Sequence, residues 1–153
     1  MVFTAKAGTH GGKRPGGVMV RAFNAFVTKR IRKGGTGMLG TDTLVLITVG
    51  SKTGQPREAP LARFAAPDGG WYVVASAGGA RLNPSWYHNI AAHPEAVRVV
   101  VAGEETAVTA EQLSGTERDR VWQQVCAGQP RFAKYGEKTD RELPIIRLTP
   151  RGQ

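Results

Sequence analysis

The apolar run Leu44-Val45-Leu46-Ile47-Thr48-Val49, closed by Gly50-Ser51-Lys52-Thr53-Gly54-Gln55-Pro56-Arg57, constrains this chain more than any other stretch. It is short, partly β-branched and bounded by glycine, so it predicts a buried strand. In the loop that follows, two glycines bracket one lysine and an arginine stands five residues beyond it. That pattern suits a tight turn whose amides and cations face an anion, a phosphate or a carboxylate. An ordinary β-turn carrying a solvated lysine fits the local pattern as well. The loop is not a nucleotide-binding P-loop, because Lys52-Thr53 follows Ser51 where that motif needs glycine.

The charge points the same way. The net charge is +9, and Lys6, Lys13, Arg14, Arg21, Lys29, Arg30, Arg32 and Lys33 fall within residues 1–40, which hold no acid. Such a segment seeks a polyanion: nucleic acid, an acidic membrane surface or an anionic coenzyme. No aromatic interleaving beyond Phe23 and Phe26 supports nucleic acid, so none is expected. The sequence predicts no membrane span, and the N-terminus lacks the apolar core of a signal peptide, which predicts a cytoplasmic protein. Cys126 is the sole cysteine and reads as a small buried hydrophobe.

The length of 153 residues predicts one domain with a single core. Residues 1–17, rich in Gly and Lys, read as a flexible tail. Residues 18–40 read as a basic amphipathic helix and a linker, with Met19, Phe23, Phe26, Val27 and Ile31 at helical spacing. Packing on the core edge is the commoner fate of such a helix; contact of residues 18–33 with the inner face of a membrane is the other. Residues 41–153 carry six expected strands, the first three forming a meander turned at Pro67-Asp68-Gly69-Gly70. A helix opens at Asn83 as N-cap with Pro84 at N1, and a second is capped by a Ser114/Glu117 box. Gly128–Arg141 reads as a polar segment. The fold class expected is α+β, a barrel or curled sheet of about six mostly antiparallel strands with a leading helix and two inserted ones.

The cluster Ser76-Ala77-Gly78-Gly79-Ala80 lies between a strand end and the helix opened by Asn83-Pro84. Its glycines permit close approach to the backbone, and a flat ring with an anionic tail would suit it. The three histidines show no metal-ligand spacing, and no Ser sits in a hydrolase elbow.

Taken in order, Gly50-Ser51-Lys52-Thr53-Gly54-Gln55-Pro56-Arg57, Ser76-Ala77-Gly78-Gly79-Ala80, Asn83-Pro84-Ser85-Trp86-Tyr87-His88-Asn89 and Thr139-Asp140-Arg141 resemble the deazaflavin-dependent nitroreductase family of actinobacteria, from about Thr43 to Leu148. The resemblance implies a split β-barrel that binds coenzyme F420, an 8-hydroxy-5-deazaflavin with a phosphodiester and an oligoglutamate tail. It implies that Lys52 and Arg57 hold phosphate and tail, helped by amides around Ser51, Thr53 and Gly54. Pro60 would also touch the coenzyme, and Ser76, Ala77, Gly78 and Gly79 would line its ring, with Asn83, Trp86 and Asn89 setting the helix beside it. The implied reaction passes a hydride from the reduced deazaflavin to a small electron-poor acceptor, with Tyr135 or Ser76 giving the proton. The acceptor site would comprise Gln129, Phe132 and Tyr135. Gln129 and Phe132 stand where tyrosines typify nitroreduction, which favours a quinone or an α,β-unsaturated carbonyl over a nitro compound. A split-barrel protein using FMN or haem, and a non-enzymatic basic module, remain as alternatives. A homodimer is the remaining partner expected.

Overall fold

The computed structural model describes residues 3–14, 16–38 and 41–151. Helix α1 is Val18–Arg32, followed by strands β1 (Gly37–Met38), β2 (Thr41–Val49), β3 (Pro56–Ala62), β4 (Phe64–Ala65) and β5 (Trp71–Val74). Helix α2 (Ser85–Ala92) leads to β6 (Arg98–Val101) and β7 (Glu104–Gln112), then α3 (Gly115–Gly128), α4 (Arg131–Glu137) and β8 (Ile145–Pro150). Every strand pairing is antiparallel, in the order β1-β2-β6-β7-β8-β5-β4, with β3 on the other side of β2. β3 and β4 are one strand bent at Arg63: its first part pairs with β2 and its second with β5. The bend links the two ends of the sheet into a curled α+β barrel.

The expected strands and turns are present, and the meander runs through the bent strand. The β6–β7 turn places Ala102 at φ 48° and Gly103 at φ 87°, a two-residue hairpin whose twist matches the flanking strands. Inside, Leu44 and Leu46 of β2 join Val73, Val99, Val108, Ile146 and Leu148, and α2 closes one end with Ile90 and Trp86. A second cluster packs α3 and α4 on β5 and β8 through Val121, Val125, Phe132, Tyr72 and Ile145. Each such fully buried side chain contributes about 1.5–3 kcal/mol.

Three local expectations are corrected. The segment expected to be polar and irregular contains α4, because Phe132 is drawn into the core against Phe64 at 5.6 Å between ring centroids. Asn83 does not cap α2: Pro84 holds the cap position, and the Asn83 carboxamide oxygen accepts a bond from Arg141 instead. Ser114 caps α3 without a side-chain bond, and Glu117 is taken by Arg147 at 2.9 Å, so no capping box forms.

Residues 3–14, expected as a flexible tail, lie along the barrel. The Gly8 amide donates to Arg81 O (2.8 Å), the Arg81 amide to Gly12 O (3.0 Å), and Thr9 donates through its amide (2.7 Å) and hydroxyl to Asp140. Phe3 sits edge-on to Tyr87 at 5.9 Å. Backbone bonds to a partner far along the chain hold this arm, which is why its composition did not reveal it. Residues 1, 2 and 15 of the expected tail, residues 39 and 40 of the linker, and residues 152 and 153 lie outside the described residues.

Helix α1 buries only part of its apolar stripe. Val27 and Ile31 pack on Val45 and Val100, whereas Val18, Met19, Phe23 and Phe26 are exposed, Met19 by 85%. No helix among the described residues is long and apolar enough to cross a membrane.

Candidate active site

The loop between β2 and β3 is shaped by its own backbone. Gly50 N–H donates to Gln55 O at 2.8 Å, Gly54 N–H to Gly50 O at 2.9 Å, and Gly54 adopts φ 70°. A Cβ on Gly50 would meet Thr53 Oγ1 at 2.6 Å, so any side chain there would push the folded-back hydroxyl out of place. The Ser51 amide, expected to face the anion, donates to Asn89 Oδ1 at 2.9 Å. The amides of Lys52 and Thr53 have no partner among the described residues. Asn89, itself buried, also donates to Thr48 Oγ1 at 3.1 Å and so pins α2 to the end of β2.

A cleft of about 620 Å³ opens over this loop, with Arg14, Lys52, Arg57, Ser85, Trp86 and His88 in its walls. The arm delivers Arg14, whose guanidinium donates to Ser85 Oγ at 3.2 Å. Burial, and then the charge of Arg14, hold the His88 imidazole below its ordinary value, so it is neutral at pH 7. The one acid among the described residues of the cleft, Glu58, is paired with Arg32. Arg14, Lys52 and Arg57 therefore leave the cleft positive, as an anionic ligand requires.

A second cleft, of about 400 Å³, lies further along β3 and is walled by Phe23, Val27, Thr43, Pro60, Arg131 and Tyr135. Asn24 lines both clefts, so they adjoin under α1. This one is largely apolar. Thr43 lines it too, and its buried hydroxyl has no partner among the described residues. The Tyr135 ring rests edge-on against Phe132 at 5.3 Å, with Lys138 Nζ 5.8 Å from its centroid.

The Ser76–Gly79 turn lines neither of these clefts. It is held from behind by Arg141, 6% exposed, which donates to Ala75 O (3.0 Å), Ser76 O (2.7 Å), Ala80 O (2.8 Å) and Asn83 Oδ1 (2.8 Å). Ala77 at φ 45° and Gly78 at φ 66° make the turn sharp. A Cβ on Gly79 would strike Tyr135 O at 2.8 Å, so the turn and α4 touch through this glycine.

Of the residues singled out from sequence, Ser51, Lys52, Thr53, Arg57, Trp86 and Asn89 share the first cleft, and Pro60 and Tyr135 share the second. Gly54 shapes the loop. Asn83 is spent on Arg141, Gln129 accepts from Arg131 at 2.7 Å, and Phe132 is a core residue, 5% exposed, where an acceptor wall was expected. Arg14 and His88 also line the first cleft and Phe23 and Arg131 the second, none of them singled out as a site residue from sequence. The signal for Arg14 was the acid-free N-terminal charge, which counted it among eight cations without singling it out.

The family model for F420H(2)-dependent quinone reductase matches residues 19–150. An F420H(2)-dependent quinone reductase of Mycobacterium tuberculosis is 37% identical over 112 residues, covering 71% of this chain and 74% of the relative. The solved structure of an F420-H2 dependent reductase, FDR-A, superposes with TM-score 0.62 at 36% identity, covering 69% of this chain and 92% of that one. A solved domain-swapped dimer superposes with TM-score 0.65 at 30% identity over 86% of this chain and 99% of its own.

Proposed function

The chain belongs to the F420H(2)-dependent quinone reductase family, and from that membership we propose how its residues divide the work. It is an oxidoreductase that uses reduced coenzyme F420 to reduce a quinone. The observation that carries the assignment of residues is the junction of a cationic cleft with an apolar one through Asn24. The coenzyme fits the first cleft on chemistry: its phosphodiester and carboxylates meet Arg14, Lys52 and Arg57 and the free amides of Lys52 and Thr53.

When bound, the reduced deazaflavin supplies the hydride, so the protein's task is to orient, to exclude water and to handle a proton. Lys52 and Arg57 fix the anionic end. Asn89 keeps the loop in register, and Trp86 fills the base of the cleft. Pro60, Phe23 and Val27 offer apolar walls to the acceptor ring. A reduced acceptor carries negative charge on its oxygen, and the Tyr135 phenol in the same cleft would give it the proton. Ser76 is the alternative donor; it lines neither cleft, whereas Tyr135 lines the second, which favours Tyr135. An enone offers the same electron-poor carbon and is the further acceptor class.

The exposed Val18, Met19, Phe23 and Phe26, beside Arg21, Lys29, Arg30 and Lys33, support peripheral contact with an anionic membrane from the cytoplasmic side, where lipophilic quinones reside. The relative that forms a domain-swapped dimer supports a homodimer here as well. The deciding experiment is fluorescence titration with oxidised coenzyme F420, with FMN in parallel, followed by quinone reduction. Saturable, salt-sensitive binding of the deazaflavin alone supports the proposal, and binding of FMN alone overturns it.

A further inference from the structure

Among the described residues that line the second cleft one is charged, Arg131, set against apolar walls of Phe23, Val27, Pro60, Leu61 and Ala62. The guanidinium is half-buried and held by neutral partners. Its Nη1 donates to Thr41 Oγ1 at 3.1 Å and to Gln129 Oε1 at 2.7 Å, and its Cζ lies 5.0 Å over the centroid of the Phe132 ring. Among the described residues no carboxylate stands within ion-pair distance of it, and its Nε and Nη2 donate to no group. One edge of a fixed cation is thus left open in an apolar cleft, where charge is screened less than in water.

A cation held in this way can take an anion, and the acceptor becomes one. A quinone reduced by hydride has gained two electrons and one proton and is a hydroquinone monoanion, its charge on a ring oxygen. We propose that Arg131 is a catalytic residue of the acceptor site, whose open edge receives the charge developing on that oxygen. Its hold on Thr41, Gln129 and Phe132 sets the guanidinium before the acceptor arrives, so little reorganisation is needed at the moment of reaction. Tyr135, one turn along α4 and in the same cleft, completes the step. Its O–H bond breaks, the proton forms the second O–H bond of the hydroquinone, and the phenolate recovers a proton from water. The proposal rests on the second cleft holding the acceptor.

The test uses the full chain loaded with oxidised coenzyme F420 and two probes. One is the hydroxynaphthoquinone lawsone, an anion at neutral pH that mimics the charge of the reduced acceptor; the other is menadione, its neutral counterpart. Quenching of tryptophan fluorescence reads the binding of each. Arg131→Met weakens binding of the anion about tenfold or more and leaves that of menadione unchanged, which also shows that the variant is folded. In turnover with menadione the same variant lowers kcat about tenfold or more at unchanged KM, and Arg131→Lys recovers part of the loss. Equal weakening of both probes, or of neither, overturns the proposal and leaves Arg131 as a support for α4. So does a loss of coenzyme affinity in Arg131→Met, which would give the cation to the coenzyme. Failure of the underlying reading looks different: Phe23→Ala would leave the binding of both probes as in the wild type.

Discussion

Asn89 Oδ1 accepts the Ser51 amide at 2.9 Å, which ties the fifth residue of α2 to the loop that carries Lys52. Asn89→Leu leaves the Ser51 amide and the buried Thr48 hydroxyl without this partner, at a cost of about 1–3 kcal/mol. For a chain of this size that lowers the melting temperature by about 2–4 °C per kcal/mol. Coenzyme affinity falls too, because the loop loses its register. Calorimetry and fluorescence titration check the pair, and a lower melting point with unchanged affinity would detach Asn89 from binding.

Lys52→Ala weakens coenzyme affinity by about 1–3 kcal/mol, the worth of a charge-assisted hydrogen bond. Arg14→Ala costs less, about 0.2–1 kcal/mol, since that side chain is exposed on the arm. Both losses shrink as salt rises. Titrations at two ionic strengths read them, and an unchanged constant for Lys52→Ala removes it from the site.

Tyr135→Phe slows turnover by about 10²-fold or more and leaves coenzyme binding nearly intact, as expected for loss of a proton donor at the second cleft. Stopped-flow reduction of a quinone separates the two effects. Equal rates in the two proteins assign the proton to Ser76 or to solvent.

Arg141 has no carboxylate partner among its four bonds, and burial pulls its guanidinium below the ordinary value. Arg141→Met strips three carbonyls and Asn83 of their donor and lowers stability by about 3–5 kcal/mol. Arg141→Lys keeps the charge but not the planar fork and recovers only part of this. Urea denaturation reads both, and a loss below about 1 kcal/mol for Arg141→Met would show that water replaces the guanidinium.

The hydroxyl and then the amide of Thr9 hold the Asp140 carboxyl down to about 2. Because the group titrates lower in the folded chain than in the unfolded one, its contribution is fully present above about pH 4. It is lost as pH falls through about 2. The Thr9 and His10 amide shifts should therefore be flat from pH 7 to about pH 4 and titrate below that, and Asp140→Asn should release them at neutral pH. Two-dimensional NMR follows both.

The barrel was legible because its signals are local. The β-branched run of β2, the Pro67–Gly70 turn and the Ala102-Gly103 hairpin each specify their conformation within a few residues. Lys52 and Arg57 were legible for the same reason, standing in a loop whose glycines mark its shape. Helix α4 was not, since Arg131–Glu137 is short and contains Gly136, and the burial of Phe132 against Phe64 decides it. Nor was the role of Arg141, because its partners are mostly backbone carbonyls, which any residue supplies. The arm escaped for a similar reason: Gly8 and Gly12 bind through their backbones to residues 79 and 81, and no side-chain pattern announces such pairing.

Strand β8 follows all its partners in the chain yet lies between β5 and β7. During synthesis those two strands must wait, each with an unpaired edge, until residues 145–150 have left the ribosome. Every nascent chain thus passes through a stage with two open edges on either side of a missing strand. The yield of folded protein in a cell is then governed by how quickly that gap is filled relative to encounters with other chains.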